Sequence, residues 1–122
     1  GANFWHEWAL TYVSTKGGIA GLTEALAIDD ARNGVRVNGV SPGVVSTPLS
    51  QEFIDGTQHP DDTRDWIDSW QWTSRVGTPE EVGHVCWFLA SDGAQFLTGV
   101  DVPVSGGAVL GYGIKLPISG QR

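Results

Sequence analysis

The 122-residue sequence contains no methionine and a single cysteine, Cys86. One cysteine excludes an internal disulfide and suits a reducing, cytoplasmic setting. A translated chain ordinarily begins with Met, so its complete absence leads to the expectation that a segment precedes Gly1. A processed N-terminus is the other explanation, and no secretory signal is left from which to judge it. Basic residues are scarce as well: seven Lys and Arg stand against fourteen Asp and Glu, for a net charge of −7. They are scattered from Lys16 to Arg122 without forming a cluster. Phosphate backbones and anionic membranes are bound by clustered positive charge, so neither nucleic acid nor a membrane surface is expected as a partner. No run of about 18 apolar residues occurs, which excludes a bilayer-spanning helix from the sequence. There is no internal repeat. His6, His59 and His84 are too dispersed to suggest a metal site and share no ligand spacing with Cys86, so no metal is expected. Ser14 has no nucleophile-elbow pattern around it and reads as a helix residue.

What is present alternates between helix and strand signals. Residues from about Leu10 to Arg32 read as one helix, with Ile19, Leu22 and Leu26 at core spacing and Asn33-Gly34 as the stop. Its small residues, Gly17, Gly18, Ala20, Gly21 and Ala25, permit close approach of another backbone, either the chain's own sheet or a second subunit. Val35 to Ser41 is a β-branched stretch that reads as a buried strand ending at Pro42-Gly43. Thr47-Pro48 supplies a cap and a first-turn proline for a short helix. From Gln51 to Ser74 the composition turns acidic and tryptophan-rich, with Trp66 and Trp70 four apart and then Trp72. That composition fits a helical lid over 48–74, in which the tryptophans either pack the segment or touch a substrate. Thr78-Pro79-Glu80-Glu81 opens the next helix with a capping box, and Val82, Val85, Cys86 and Leu89 give it an apolar face ending near Ser91-Asp92-Gly93. Thr98 to Val104 is the second strand, closed by Ser105-Gly106-Gly107. A Gly-rich tail, 111–122, follows. Two strands joined through helices imply a parallel sheet, and two strands alone leave both edges open, so a larger sheet is expected.

The chemistry sits in Tyr12 and Lys16. On a helix, positions i and i+4 share a face, so an ammonium can stand beside a phenol. A phenol titrates near ~10, and a neighbouring positive charge stabilises its phenolate and lowers that value. The pair reads as a tuned general acid/base.

These residues in this order resemble the C-terminal half of a classical short-chain dehydrogenase/reductase. The matching pieces are Tyr12-x-x-x-Lys16, Gly34-Val35-Arg36-Val37-Asn38, Pro42-Gly43-x-x-x-Thr47-Pro48, Arg75-x-Gly77-x-Pro79-Glu80-Glu81-Val82, Phe88-Leu89-Ala90-Ser91, and Thr98-Gly99 with Ser105-Gly106-Gly107. The stretch Gly106 to Gly113, with Ser41-Pro42-Gly43 and Thr47-Pro48-Leu49, is similar to 17β-hydroxysteroid dehydrogenases. The resemblance implies an α/β fold, the C-terminal part of a Rossmann-like doubly wound parallel sheet, with residues 1–122 as half of one domain. It also implies hydride exchange between NAD or NADP, NAD slightly favoured, and a secondary alcohol or ketone. Tyr12 would move the hydroxyl proton. Lys16 would hold the nicotinamide ribose and lower the Tyr12 pKa. Pro42 and Gly43 would turn the backbone beside the nicotinamide, and the Val45 amide and Thr47 hydroxyl would bind its carboxamide. A homo-oligomer, dimer or tetramer, is implied too.

The family's catalytic serine and its Gly-rich dinucleotide turn have no counterpart in the sequence. Gly17-Gly18-Ile19-Ala20-Gly21 lies inside a helix and is not that turn. The 122 residues alone are therefore expected to be inactive. Two alternatives stand beside the enzyme: a non-catalytic dehydrogenase-like binding module, and a dimerisation module. Asn38 is expected to be structural, satisfying neighbouring backbone groups, and Tyr112 to lie in a flexible tail or to reach over a substrate pocket.

Overall fold

A computed structural model describes the backbone of residues 4–110 and the side chains of residues 14–110. The Tyr12 side chain, the side chain of His6 and the tail with Tyr112 lie outside the described residues. The order is helix α1 (Phe4–Asp30), strand β1 (Gly39–Pro42), helices α2 (Pro48–Asp55), α3 (Pro60–Asp68) and α4 (Pro79–Ala90), and strand β2 (Asp101–Val104). β1 and β2 pair in one sheet, and it is parallel, as the α/β reading requires. The chain forms two compact units, Gly1–Gly39 with Phe88–Val102 and Val40–Trp87 with Pro103–Arg122.

In the first unit, α1 begins earlier than its apolar periodicity indicates and passes into a 3-10 turn over Ala31–Asn33. Gly34, at φ 76°, stops it and donates its N–H to the Ala31 carbonyl at 3.0 Å. Ala27 is the buried residue of this helix; a side chain on Gly99, itself at φ 73°, would touch its methyl. Ile19 and Leu22, expected in the core, are half exposed at 50% and 56%, and Leu26 is exposed as well. The cause is extent. A 27-residue helix runs roughly 40 Å, and four-residue strands reach only roughly 13 Å. Added β-carbons at Gly17, Gly18 and Gly21 would meet nothing within 4 Å, so the small-residue face makes no close approach to the chain's own sheet.

Both strands are shorter than their β-branched stretches. Val37 N–H donates to the Thr98 hydroxyl (3.2 Å), and the Asn38 side chain takes the Val100 N–H (3.3 Å) while donating to the Leu97 carbonyl (3.0 Å). Side chains thus satisfy the backbone that a longer ladder would pair, and Asn38 has the structural role its position implied. Regular pairing starts where Gly39 N–H donates to the Val100 carbonyl at 2.8 Å. Arg36 adds bonds to the Leu97 and Ser91 carbonyls.

In the second unit, α2 and α3 form the helical part of the Trp-rich segment. Its anchors are Ile54, Ile67 and Gln71, which are buried, whereas Trp66 is 56% exposed and Trp72 is exposed too. Trp66 and Trp70 meet edge to face, centroids 4.6 Å apart. Val76 N–H donates to Asp68, closing the segment's exit. α4 opens as expected: Thr78 accepts from the Glu81 N–H (3.2 Å) and Glu81 accepts from the Thr78 N–H (2.9 Å). Of its apolar face only Leu89 is buried, and Cys86 is exposed. Among the described residues no helix is long and apolar enough to cross a membrane.

Candidate active site

Four of the expected site residues lie in the second unit: Pro42 ends β1, and Gly43, Val45 and Thr47 lie in the short connection from β1 to α2. The ladder carries through to Gly43, whose N–H donates to the Val104 carbonyl at 3.0 Å. A β-carbon on Gly43 would fall 2.9 Å from the Ser105 Cα, so the two chain segments cross at a spacing that excludes any side chain at position 43.

Beyond Gly43 the backbone forms a parallel bridge with Gly77. Gly77 N–H donates to the Val44 carbonyl (2.8 Å) and its carbonyl accepts from the Ser46 N–H (2.9 Å). In an extended chain successive amides point to opposite sides, so a residue flanked by two such bonds turns its own N–H and C=O away. Val45 is that residue. Its carbonyl accepts from the Ser50 hydroxyl at 3.1 Å, and its N–H faces the side opposite Gly77. Gly77 therefore aims the Val45 amide, a role that the Arg75-x-Gly77-x-Pro79 spacing carried without revealing.

Thr47 caps α2. Its hydroxyl oxygen accepts from the Ser50 N–H (3.2 Å), and its own N–H donates to the Ser50 hydroxyl (2.8 Å), a reciprocal box with Pro48 in the first turn. The cap fixes the Thr47 side chain two residues beyond the Val45 amide. One donor N–H and one hydroxyl thus stand together on a segment braced by Gly77 on one side and Ser50 on the other. Such a pair can bind a primary carboxamide, which both donates and accepts.

Tyr12 and Lys16 belong to the first unit, both on α1. Lys16 is exposed. Their spacing is one helical turn, which sets positions 12 and 16 on one face; the phenol itself lies outside the described residues.

The strongest electrostatic feature is the pair formed by Arg75 and Glu81, with two bonds at 2.9 and 2.6 Å. Hydrogen bonding from the Arg75 guanidinium, then from the Thr78 N–H, holds the Glu81 carboxyl at about 2, below its usual 4.5, and the same contact raises Arg75. Both side chains are half exposed, so solvent screens the pair and its main effect is to fix the turn before α4. Among the described residues no cluster of His, Cys, Asp or Glu could hold a metal.

A family model described as enoyl-(acyl carrier protein) reductase matches residues 2–109. L-fucose dehydrogenase of Rattus norvegicus is 50% identical over 107 residues, covering 88% of this chain and 39% of that protein. A short chain dehydrogenase family protein from Francisella tularensis superposes with a TM-score of 0.77 at 32% identity, covering 82% of this chain and 43% of that one. The structure titled ElxO with NADP bound superposes at 0.75 with 31% identity, covering 84% and 40%. The chain thus spans about two fifths of the length of each.

Proposed function

The chain belongs to the short-chain dehydrogenase/reductase family, and from that premise we propose that it serves an NAD(P)-dependent oxidoreductase acting on a secondary alcohol or ketone. The observation that carries this reading is the Val45 amide, turned outward by the Gly77 bridge beside the capped Thr47 hydroxyl. That arrangement fits the carboxamide of a nicotinamide. The close Gly43–Ser105 crossing keeps position 43 free of a side chain. When bound, the cofactor supplies the hydride acceptor or donor.

The residues of this chain do the rest. Tyr12 is the acid/base: its phenolic oxygen takes the proton of the substrate hydroxyl during oxidation and returns it during reduction. Lys16, one turn on, stabilises the phenolate and holds the nicotinamide ribose hydroxyls. Val45 and Thr47 fix the carboxamide and hence which face of the ring meets the substrate. The segment 48–74 acts as the substrate lid. We favour NAD, on the resemblance alone.

For the substrate, the chain's ending resembles 17β-hydroxysteroid dehydrogenase type 14, but part of that ending lies outside the described residues. The similarity over 107 residues to a protein named L-fucose dehydrogenase favours a sugar, and we take a polyhydroxylated secondary alcohol as the substrate class. We read the enzyme as a cytoplasmic homo-oligomer, dimer or tetramer, in which the half-exposed Ile19 and Leu22 and the open glycine face of α1 meet another copy.

The test is Tyr12→Phe in the full-length enzyme. Turnover of L-fucose is expected to fall by at least about 10²-fold while NADH binding, followed by fluorescence, is kept. Turnover near the wild-type rate would overturn the role of Tyr12.

A further inference from the structure

The direction of the Val45 amide is set two peptide planes away from it. Among the described residues every peptide bond is trans, and in a trans peptide the C=O and the following N–H point in opposite directions. The Val44 C=O and the Val45 N–H share one such plane. The Gly77 N–H on the Val44 carbonyl, at 2.8 Å, therefore turns the Val45 N–H away from Gly77. The same rule holds for Gly77 itself. Its N–H shares a plane with the Val76 C=O, and its C=O, which accepts from the Ser46 N–H at 2.9 Å, shares one with the Thr78 N–H. Whatever holds the Val76 carbonyl and the Thr78 amide thus aims Gly77, and through it Val45.

Side chains hold both. The Arg75 guanidinium donates to the Val76 carbonyl at 3.0 Å, and the Glu81 carboxylate accepts from the Thr78 N–H at 2.9 Å. Arg75 and Glu81 are themselves joined by two bonds of 2.9 and 2.6 Å, so the grips on either side of Gly77 form one unit. Asp68, the last residue of α3, accepts from the Val76 N–H at 3.0 Å and holds the preceding peptide. An exposed ion pair contributes little to stability, so the consequence of this one lies in what it orients. We infer that Asp68, Arg75 and Glu81 are positioning residues that aim the Val45 amide through Gly77. They act through the backbone and not by contact with the cofactor. The inference rests on the proposed function only for what the amide receives, the nicotinamide carboxamide. It also links the aim of that amide to the end of α3, within the segment proposed as the lid.

The test uses the full-length protein, titrated with NADH and with ADP-ribose, which has no nicotinamide and hence no carboxamide. Asp68→Ala and Glu81→Ala are each expected to weaken NADH binding on the order of tenfold, the loss of about one hydrogen bond, and to leave ADP-ribose affinity unchanged. Asp68→Asn, which keeps an acceptor oxygen for the Val76 N–H, is expected to restore NADH affinity. Asp65→Ala, which removes the same charge from an exposed position of α3, is expected to bind both ligands as the wild type does. Wild-type NADH affinity in a folded Asp68→Ala or Glu81→Ala protein overturns the inference. So does a matching loss of ADP-ribose affinity, the mark of general loosening. Hydrogen exchange reads the clamp without any ligand: the Ser46 and Gly77 amides are expected to exchange on the order of tenfold faster in Glu81→Ala, and unchanged exchange overturns it. Absence of NADH binding to the wild type would instead overturn the proposed function, and the exchange rates would still decide whether these side chains aim the Val45 amide.

Discussion

Gly43 and Ser105 cross so closely that the Cα of one occupies the space a side chain of the other would need: the added β-carbon would lie 2.9 Å from the Ser105 Cα and 3.0 Å from its carbonyl oxygen. The atoms it meets are backbone, which cannot rotate aside. The turn after β1 is therefore held by the end of β2, and the segment that carries Val45 and Thr47 starts from a fixed point.

Gly43→Ala is expected to force these strands apart. Overpacking of this kind costs about 1–3 kcal/mol, and the shift propagates directly into the Val45 amide. Urea unfolding should show the loss of stability, and on the proposed function NADH titration should show affinity reduced at least tenfold. A variant with wild-type NADH affinity would separate this crossing from the cofactor site.

Thr47 has two duties that can be pulled apart. Thr47→Ala removes the α2 cap, at about 1 kcal/mol, together with the hydroxyl proposed above to bind the carboxamide. Thr47→Ser keeps both. The expected result is loss of stability and a raised KM for the cofactor in the alanine variant, with both restored in the serine variant. If serine restores stability alone, the threonine methyl positions the hydroxyl.

The Arg75–Glu81 pair gives the chain a defined acid sensitivity. The folded carboxyl titrates at about 2, below the ordinary Glu value near ~4.3 in an unfolded chain. The unfolded state therefore takes up the proton first as pH falls. The pair's contribution is complete above about pH 4.5 and is lost as pH drops towards 2. Because the pair is exposed, the effect is small. Urea midpoints of wild type and Glu81→Gln should differ at pH 7, and the gap should narrow below about pH 4.5 and close only towards pH 2. A gap that persists unchanged at pH 3 would show that the carboxyl is not held low.

The elements that could be read from the sequence are those whose determinants are local. Thr47-Pro48 and Thr78-Pro79-x-Glu81 fix their helix starts through bonds spanning three residues, and both are visible as spacing alone. The strands begin later than their β-branched stretches indicate because Asn38 and Thr98 intercept backbone groups that a longer ladder would pair; that substitution depends on a segment distant in the chain. The periodicity of Ile19, Leu22 and Leu26 is real, yet two short strands leave this row exposed. Gln71 gave no signal at all. Its burial follows from Gly106, whose missing side chain leaves room for the Gln71 stem and the Thr73 hydroxyl, a relation that no spacing rule encodes. In the candidate site, Pro42-Gly43-x-x-x-Thr47-Pro48 is visible as spacing, whereas the bracing of Val45 by Gly77 is visible only in the bridge.

The ladder keeps one register from end to end: the backbone bonds from Gly39 to Val100 and from Gly43 to Val104 each join residues 61 apart. No part of the sheet can form until a loop of that length has closed, which makes strand pairing a late and slow event in folding. The same arithmetic frees the intervening segment. Doubling a flexible loop costs only about 0.6 kcal/mol in closure entropy, so the stretch between α2 and α4 can gain or lose residues with little penalty to the clasp that closes it. Insertions and deletions there should change what the segment proposed as a lid admits well before they change whether the chain folds.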